Sequence, residues 1–210
     1  MQKIFFLICL FSSINLYSQQ NNVPYLVKNS LSSVVLITTD YSSGSGVVVN
    51  TEGVILTNFH VVSSVLIDNS VITVKTHNND LYIATILSYD EDLDICLIKT
   101  ENLVNEKSIF IAHQDSINLG EDVICIGNPL GLTEYVTKGI ISKYNTPYIF
   151  TSASINPGNS GGAMINMKGE LVGIPTQTIT NTQNVNMALC IRTIRYFLKK
   201  NKINFKEYKL

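Results

Sequence analysis

Most of this chain is cut into short apolar, β-branched runs, each closed by a turn rich in Gly, Asn or Asp. Residues 34–39, 54–57, 71–76, 81–89, 95–99, 123–126, 135–144, 147–152 and 171–174 read as strands. Branched and aromatic side chains suit a pleated, half-buried surface, and Gly, Asn and Asp supply the bends between. Val47-Val48-Val49, the turn Asn50-Thr51-Glu52-Gly53 and the return Val54-Ile55-Leu56-Thr57 form a hairpin signal. Long helical patterns do not alternate with these runs, which argues against a parallel sheet and for an all-β sandwich or barrel. No repeat and no Pro- or Ser-rich linker marks a second module, and residues 101–118 read as a connection between two halves. Helical signals flank the strands. Residues 25–31 form a short one. Residues 191–200 carry Ile191, Ile194, Phe197 and Leu198 at helical spacing with a basic end suited to a helix C-terminus.

The 210 residues are 45% hydrophobic and 15% charged, enough for a sizeable core, and the net charge of -1 offers no basic surface for nucleic acid. Lys3, an apolar run over residues 4–11, and small or polar residues up to Gln20 have the order of a secretory signal. The run is too short for a membrane span, which needs about 20 apolar residues. Residues 1–18 are therefore expected to be a signal peptide and residues 19–24 a loose leader. The mature chain would be exported, to a bacterial periplasm or out of the cell, with no transmembrane anchor. Cys9 lies in that signal. Cys96, Cys125 and Cys190 each sit in an apolar run and read as small buried hydrophobes, although spacing leaves a Cys96–Cys125 disulfide open. No cysteine pair has metal-ligand spacing, and neither metal nor organic cofactor is expected.

Chemistry concentrates in Ile155-Asn156-Pro157-Gly158-Asn159-Ser160-Gly161-Gly162. A serine at the tip of such a turn has main-chain N–H groups beside it. Acyl transfer needs that pairing, a nucleophile with donors for the oxyanion its attack creates. Ser160 is the candidate nucleophile, and the backbone N–H groups of Gly158 and Ser160 are the candidate donors. Of the three histidines, His77 sits at a turn and His113 in a polar connection, whereas His60 ends an apolar strand. A general base must be held in place, so His60 is the candidate. Its second ring nitrogen needs an acceptor. Asp90, Glu91, Asp92 and Asp94 form an acidic bend, and Asp94 directly precedes the apolar run Ile95-Cys96-Leu97-Ile98. The order His, Asp, Ser on an all-β chain is the chymotrypsin order.

The segments Gly44-Ser45-Gly46, Thr57-Asn58-Phe59-His60-Val61-Val62, Asp94-Ile95-Cys96-Leu97-Ile98-Lys99, Ile126-Gly127-Asn128-Pro129-Leu130-Gly131-Leu132 and Asn156-Pro157-Gly158-Asn159-Ser160-Gly161-Gly162 closely resemble the HtrA/Deg family of trypsin-like serine proteases. The resemblance covers residues 25–198. It implies a chymotrypsin/trypsin-like double six-stranded β-barrel, about 25–110 and 111–190, then a C-terminal helix and a tail over 201–210. It implies His60 as general base, Asp94 as its orienter and Ser160 as nucleophile, with an oxyanion hole at Gly158 and Ser160. Family members usually carry PDZ domains after the protease, and the 12 residues after Leu198 hold none, so a protease domain alone is expected. Pro175, Asn186 and Cys190 depart from the family's usual residues and bear on pocket shape.

The position six before the nucleophile is Ser154, where enzymes that select basic residues carry Asp. A small, mostly apolar pocket involving Ser154, Ile174 and Met187 is expected, favouring aliphatic side chains. Thr176 to Thr178 would pair with the substrate main chain as an added strand. The expected function is an exported serine endopeptidase acting on unfolded or extended polypeptide. The rival reading is a silent peptide binder on the same fold with a misformed oxyanion loop. Relatives often trimerise through an N-terminal segment. Residues 19–30 here are short and weakly aromatic, so the sequence leaves homo-oligomerisation open.

Overall fold

A computed structural model describes residues 22–68, 70–101, 103, 107–128, 134–178 and 185–207. The expected signal peptide, residues 1–18, lies outside the described residues. Helix α1 runs Val23–Leu31, with Pro24 in its first turn, where an N–H would have no helical acceptor anyway. It begins inside the stretch expected to be a loose leader, because Leu26 is buried and Val23, Val27 and Leu31 pack against the same core.

The first barrel is built from β1 (Val34–Thr38), β2 (Ser43–Val48), β3 (Val54–Thr57), β4 (Ile72–Lys75), β5 (Leu81–Asp90) and β6 (Ile95–Thr100). They close in the order β1-β2-β3-β6-β5-β4, antiparallel throughout. Two short helical turns, α2 (Phe59–Val62) and α3 (Val65–Asp68), follow β3. Successive side chains of a strand point to opposite faces. Val48, Ile55, Cys96 and Ile98 therefore fill one core with Val35, Ile37 and Val74, while Val47, Leu56, Ile95 and Leu97 join the other, larger core. Both faces of β3 and of the start of β6 are covered, which is why Val54-Ile55-Leu56 and Ile95-Cys96-Leu97-Ile98 are apolar without alternation.

The second barrel holds β8 (Asp122–Gly127), β9 (Tyr135–Asn145), β10 (Tyr148–Thr151), β11 (Ala163–Asn166), β12 (Glu170–Thr178) and β13 (Asn186–Cys190), after the short β7 (Phe110–Ile111). The order is β11-β8-β9-β10-β13-β12, and β11 pairs with β12 to close it. Strand β7 lies parallel on β12, inside the stretch expected to be only a connection. The architecture is thus all-β, two six-stranded barrels and a C-terminal helix, α4 (Ile191–Lys200). Ile191, Ile194, Phe197 and Leu198 of α4 are buried, and burial of each such side chain contributes about 1.5–3 kcal/mol. The chain beyond α4 folds back: the Ile111 N–H donates to the Lys206 carbonyl at 2.8 Å, and Arg195, itself buried, pairs with Glu207 at 2.6 Å.

Cys96, Cys125 and Cys190 are all buried and free, so no disulfide joins Cys96 to Cys125. Cys96 points into the first barrel's core and Cys125 lies in the larger one. Burial pushes both thiols up to about 12, helped at Cys96 by the Asp94 charge and opposed at Cys125 by a hydrogen bond with Thr137.

Candidate active site

His60 sits on α2, immediately after the strand β3 that delivers it. Phe59 anchors this turn by stacking on Tyr89 of β5, ring centroids 4.5 Å apart and 11° from parallel. Asp94 sits in the tight turn before β6, its N–H donating to the Glu91 carbonyl at 3.1 Å and its φ at +52°. That turn aims both carboxylate oxygens at one residue. Oδ2 lies 2.7 Å from His60 Nδ1, and Oδ1 accepts the His60 backbone N–H at 2.9 Å. The carboxylate thereby fixes ring and backbone together, and with Nδ1 carrying the proton the outer ring nitrogen Nε2 is left with a lone pair. The His60 side chain is 50% exposed and that of Asp94 25%, so the pair faces a surface reachable by a large substrate. His77 instead pairs with Glu134 at 2.7 Å, and His113 lies 3.8 Å from Asp115.

Ser160 lies in the turn between β10 and β11. Asn159 N–H donates to the Asn156 carbonyl at 2.9 Å across Pro157 and Gly158, with Gly158 at φ +100°. Proline second and a positive-φ glycine third define a type II turn. Among the described residues, the N–H groups of Gly158 and Ser160 have no acceptor. The Ser160 hydroxyl donates to the Thr176 carbonyl at 3.1 Å. Asn58 ties this corner to the histidine. Its Nδ2 donates to the Asp94 carbonyl at 2.7 Å and to Thr176 Oγ1 at 3.2 Å.

Ser45 has no role in the sequence reading beyond its Gly-Ser-Gly motif, yet the first barrel holds the Ser160 turn through it. Its N–H donates to the Ser160 carbonyl at 2.9 Å, its Oγ donates to the Gly158 carbonyl at 2.7 Å and accepts the Asn128 N–H at 2.8 Å. Ser45 is fully buried. Nothing in a lone serine between glycines signals this, since the partner carbonyls come from another barrel. Asn159 is buried too, and neither atom of its amide has a partner among the described residues.

The expected specificity residues are distributed unevenly. Ser154 is exposed and its carbonyl accepts the Thr137 hydroxyl at 2.8 Å, and Met187 is half-buried. Ile174 is wholly enclosed in the larger core and presents no surface in this arrangement. Thr176 is nearly buried, and Thr178 pairs with Asn186 across β12 and β13. Among the described residues, no cluster of three or more His, Cys, Asp or Glu is placed to hold a metal ion, and no helix is long and apolar enough to cross a membrane.

The sequence model of the trypsin-like peptidase domain matches residues 44–174. A probable periplasmic serine endoprotease, DegP-like, of Buchnera aphidicola subsp. Schizaphis graminum is 40% identical over 146 residues, 65% of this chain and 30% of that protein. The periplasmic serine endoprotease DegP of Salmonella typhimurium is 39% identical over 143 residues, 63% of this chain and 29% of that protein. The chain thus spans about three tenths of the length of these relatives. The crystal structure of the serine endoprotease from Yersinia pestis is similar with a TM-score of 0.76 and 32% identity, over 84% of this chain and 65% of that one.

Proposed function

The chain belongs to the trypsin-like peptidase family, of the HtrA/Deg kind, and we propose that it is a serine endopeptidase that cuts extended or unfolded polypeptide after export to a periplasm or beyond. The observation that carries this reading is the double hold of Asp94 on His60, joined through Asn58 and Thr176 to the hydroxyl of Ser160.

In the proposed reaction a substrate lies along β12 from Thr176 to Thr178. Among the described residues this edge has no strand partner on the side away from β13. A substrate N–H takes the Thr176 carbonyl and releases the Ser160 hydroxyl, which turns to His60 Nε2. Ser160 Oγ attacks the scissile carbonyl carbon as its proton passes to Nε2. The oxyanion is received by the free N–H groups of Gly158 and Ser160, and Asp94 stabilises the imidazolium. The imidazolium then protonates the leaving amine, giving an acyl-enzyme. Water, deprotonated by His60, attacks the ester, and the Ser160 oxygen leaves with that proton.

Ser154 brings no counter-charge to the substrate side chain, so small or medium aliphatic residues are favoured before the cut. A peptide library in which Arg and Lys dominate that position contradicts this assignment.

The central test is labelling of the folded protein by a fluorophosphonate, with Ser160→Ala as control. Labelling of the parent chain alone, with casein hydrolysis, supports the endopeptidase. A folded parent chain that stays unlabelled even with a bound peptide overturns it. That outcome favours a peptide binder, the reading to which the Ser160–Thr176 hydrogen bond lends weight.

A further inference from the structure

We propose that the cleft bounded by α1, the segment entering β7 and the β11–β12 turn binds a small organic anion, a carboxylate or phosphate carried on an apolar group. The cleft has a volume of about 320 Å³ and shares no residue with the Ser160 site. That volume is at the lower end of ligand pockets, the size for an acylated amino acid or a small phosphate ester.

Its polar lining is what points to a ligand. Ser30, Ser33 and Ser108 line it and are 5%, 3% and 6% exposed. No hydrogen bond joins any of the three hydroxyls to the described residues; Ser108 Oγ is sealed beneath the surface without a partner, whereas the hydroxyls of Ser30 and Ser33 are not sealed. Buried polar side chains are ordinarily paired, so the unpaired hydroxyls of Ser30 and Ser33, which are not sealed, are donors open to an acceptor in this cleft. Lys107 and Lys168 stand at the same cleft, and neither makes an ion pair among the described residues. Lys168 is presented by a rigid turn: Asn166 Oδ1 accepts the N–H groups of Lys168 and Glu170 at 2.9 and 3.0 Å. The one carboxylate of that turn, Glu170, is itself engaged by Asn166 Nδ2 at 2.8 Å.

Hydroxyl donors with two uncompensated ammonium groups select an oxyanion, because charge-assisted hydrogen bonds are the stronger ones. Among the described residues, no acid lines the cleft to receive a cation. Tyr25, half-exposed at the mouth, gives an apolar group of the ligand a surface to lie on.

The test uses the full chain carrying Ser160→Ala, titrated calorimetrically at low ionic strength with inorganic phosphate, N-acetyl-leucine and its neutral amide. One anion is expected to saturate at about millimolar or tighter, and the amide is not. Saturation by phosphate alone assigns a phosphate ligand, and by N-acetyl-leucine alone a carboxylate. Lys107→Gln with Lys168→Gln should weaken binding about tenfold or more. Ser33→Ala should weaken it without lowering the melting temperature of the unliganded protein, since that hydroxyl has no protein partner to lose among the described residues. Binding that ignores the lysine pair, equal binding of acid and amide, or no saturable anion binding each overturns the proposal, the last leaving a cleft filled by water.

Discussion

The hydroxyl of Ser45, a residue of the first barrel, donates a 2.7 Å hydrogen bond to the carbonyl of Gly158 in the second. A carbonyl held this way fixes the peptide plane beyond Gly158, and the same oxygen of Ser45 accepts the Asn128 N–H. Ser45→Ala therefore frees the turn that offers the Gly158 N–H and leaves a buried amide unpaired. The amide alone costs about 1–3 kcal/mol of stability. We expect kcat on a peptide substrate to fall about 10- to 100-fold, the range of a weakened oxyanion donor, with KM changed little. Steady-state kinetics beside a thermal melt separate the two effects. Unchanged kcat in a folded variant removes Ser45 from the positioning of this turn.

Asp94→Asn tests the proposed role of the carboxylate. The amide oxygen can still accept the His60 N–H, so the fold is expected to survive. The amide nitrogen presents a donor to Nδ1, which forces the wrong tautomer and leaves Nε2 protonated. The expected loss is about 10⁴-fold in kcat, with near-normal KM. The fluorophosphonate labelling rate should fall in parallel. A variant that labels at the parent rate shows that His60 does not act through this pair.

Gly161 is a position where the two barrels approach closely. Its φ is +82°, and a Cβ there would lie 2.2 Å from the Ser45 carbonyl oxygen and 2.4 Å from Thr57 Oγ1. Gly120 has nearly the same φ, +79°, with open space around it. Gly120→Ala should cost only the left-handed backbone, about 1–2 kcal/mol. Gly161→Ala should cost about 3 kcal/mol or more, since a backbone carbonyl must move. Urea unfolding of both variants checks the difference, and equal costs show that the approach relaxes freely.

The strands were legible where both faces are buried. Val47-Val48-Val49, Val54-Ile55-Leu56 and Ile95-Cys96-Leu97-Ile98 are apolar throughout because one set of side chains fills the first barrel and the other meets the second. Helix α4 was legible from its period. Strand β7, two residues long, was not, since its place depends on a parallel register with Glu170 and Leu171 that no local pattern encodes. The four-residue turn α2 is likewise too short to show a helical period. The identities of His60, Asp94 and Ser160 as candidates came from motif and order. The grip on the His60 amide, the Thr176 carbonyl that holds Ser160, and the Ser45 clamp are contacts between chain segments 16 to 115 positions apart. Ser30, on the short helix expected over 25–31, and Ser33 carried no signal of a shared cleft for the same reason.

The buried thiols make the fold sensitive to alkali. Cys96 and Cys125 are raised from 9.0 to about 12, chiefly by burial. Above pH 9 the unfolded chain releases these protons and the folded chain retains them, so the unfolded state gains. The contribution of each thiol is complete below pH 9 and is lost as the pH climbs toward 12, at about 1.4 kcal/mol per pH unit over that window. Urea unfolding between pH 8 and 10.5 should show stability falling above pH 9. Cys125→Ala should flatten that fall, whatever it costs in packing at pH 8. At pH 8 the native protein should resist iodoacetamide at Cys96 and Cys125 and react there once unfolded, because the thiolate is the nucleophile. Rapid native labelling of Cys125, or an alkaline slope unchanged in Cys125→Ala, would show that this thiol is not sealed in the second barrel's core.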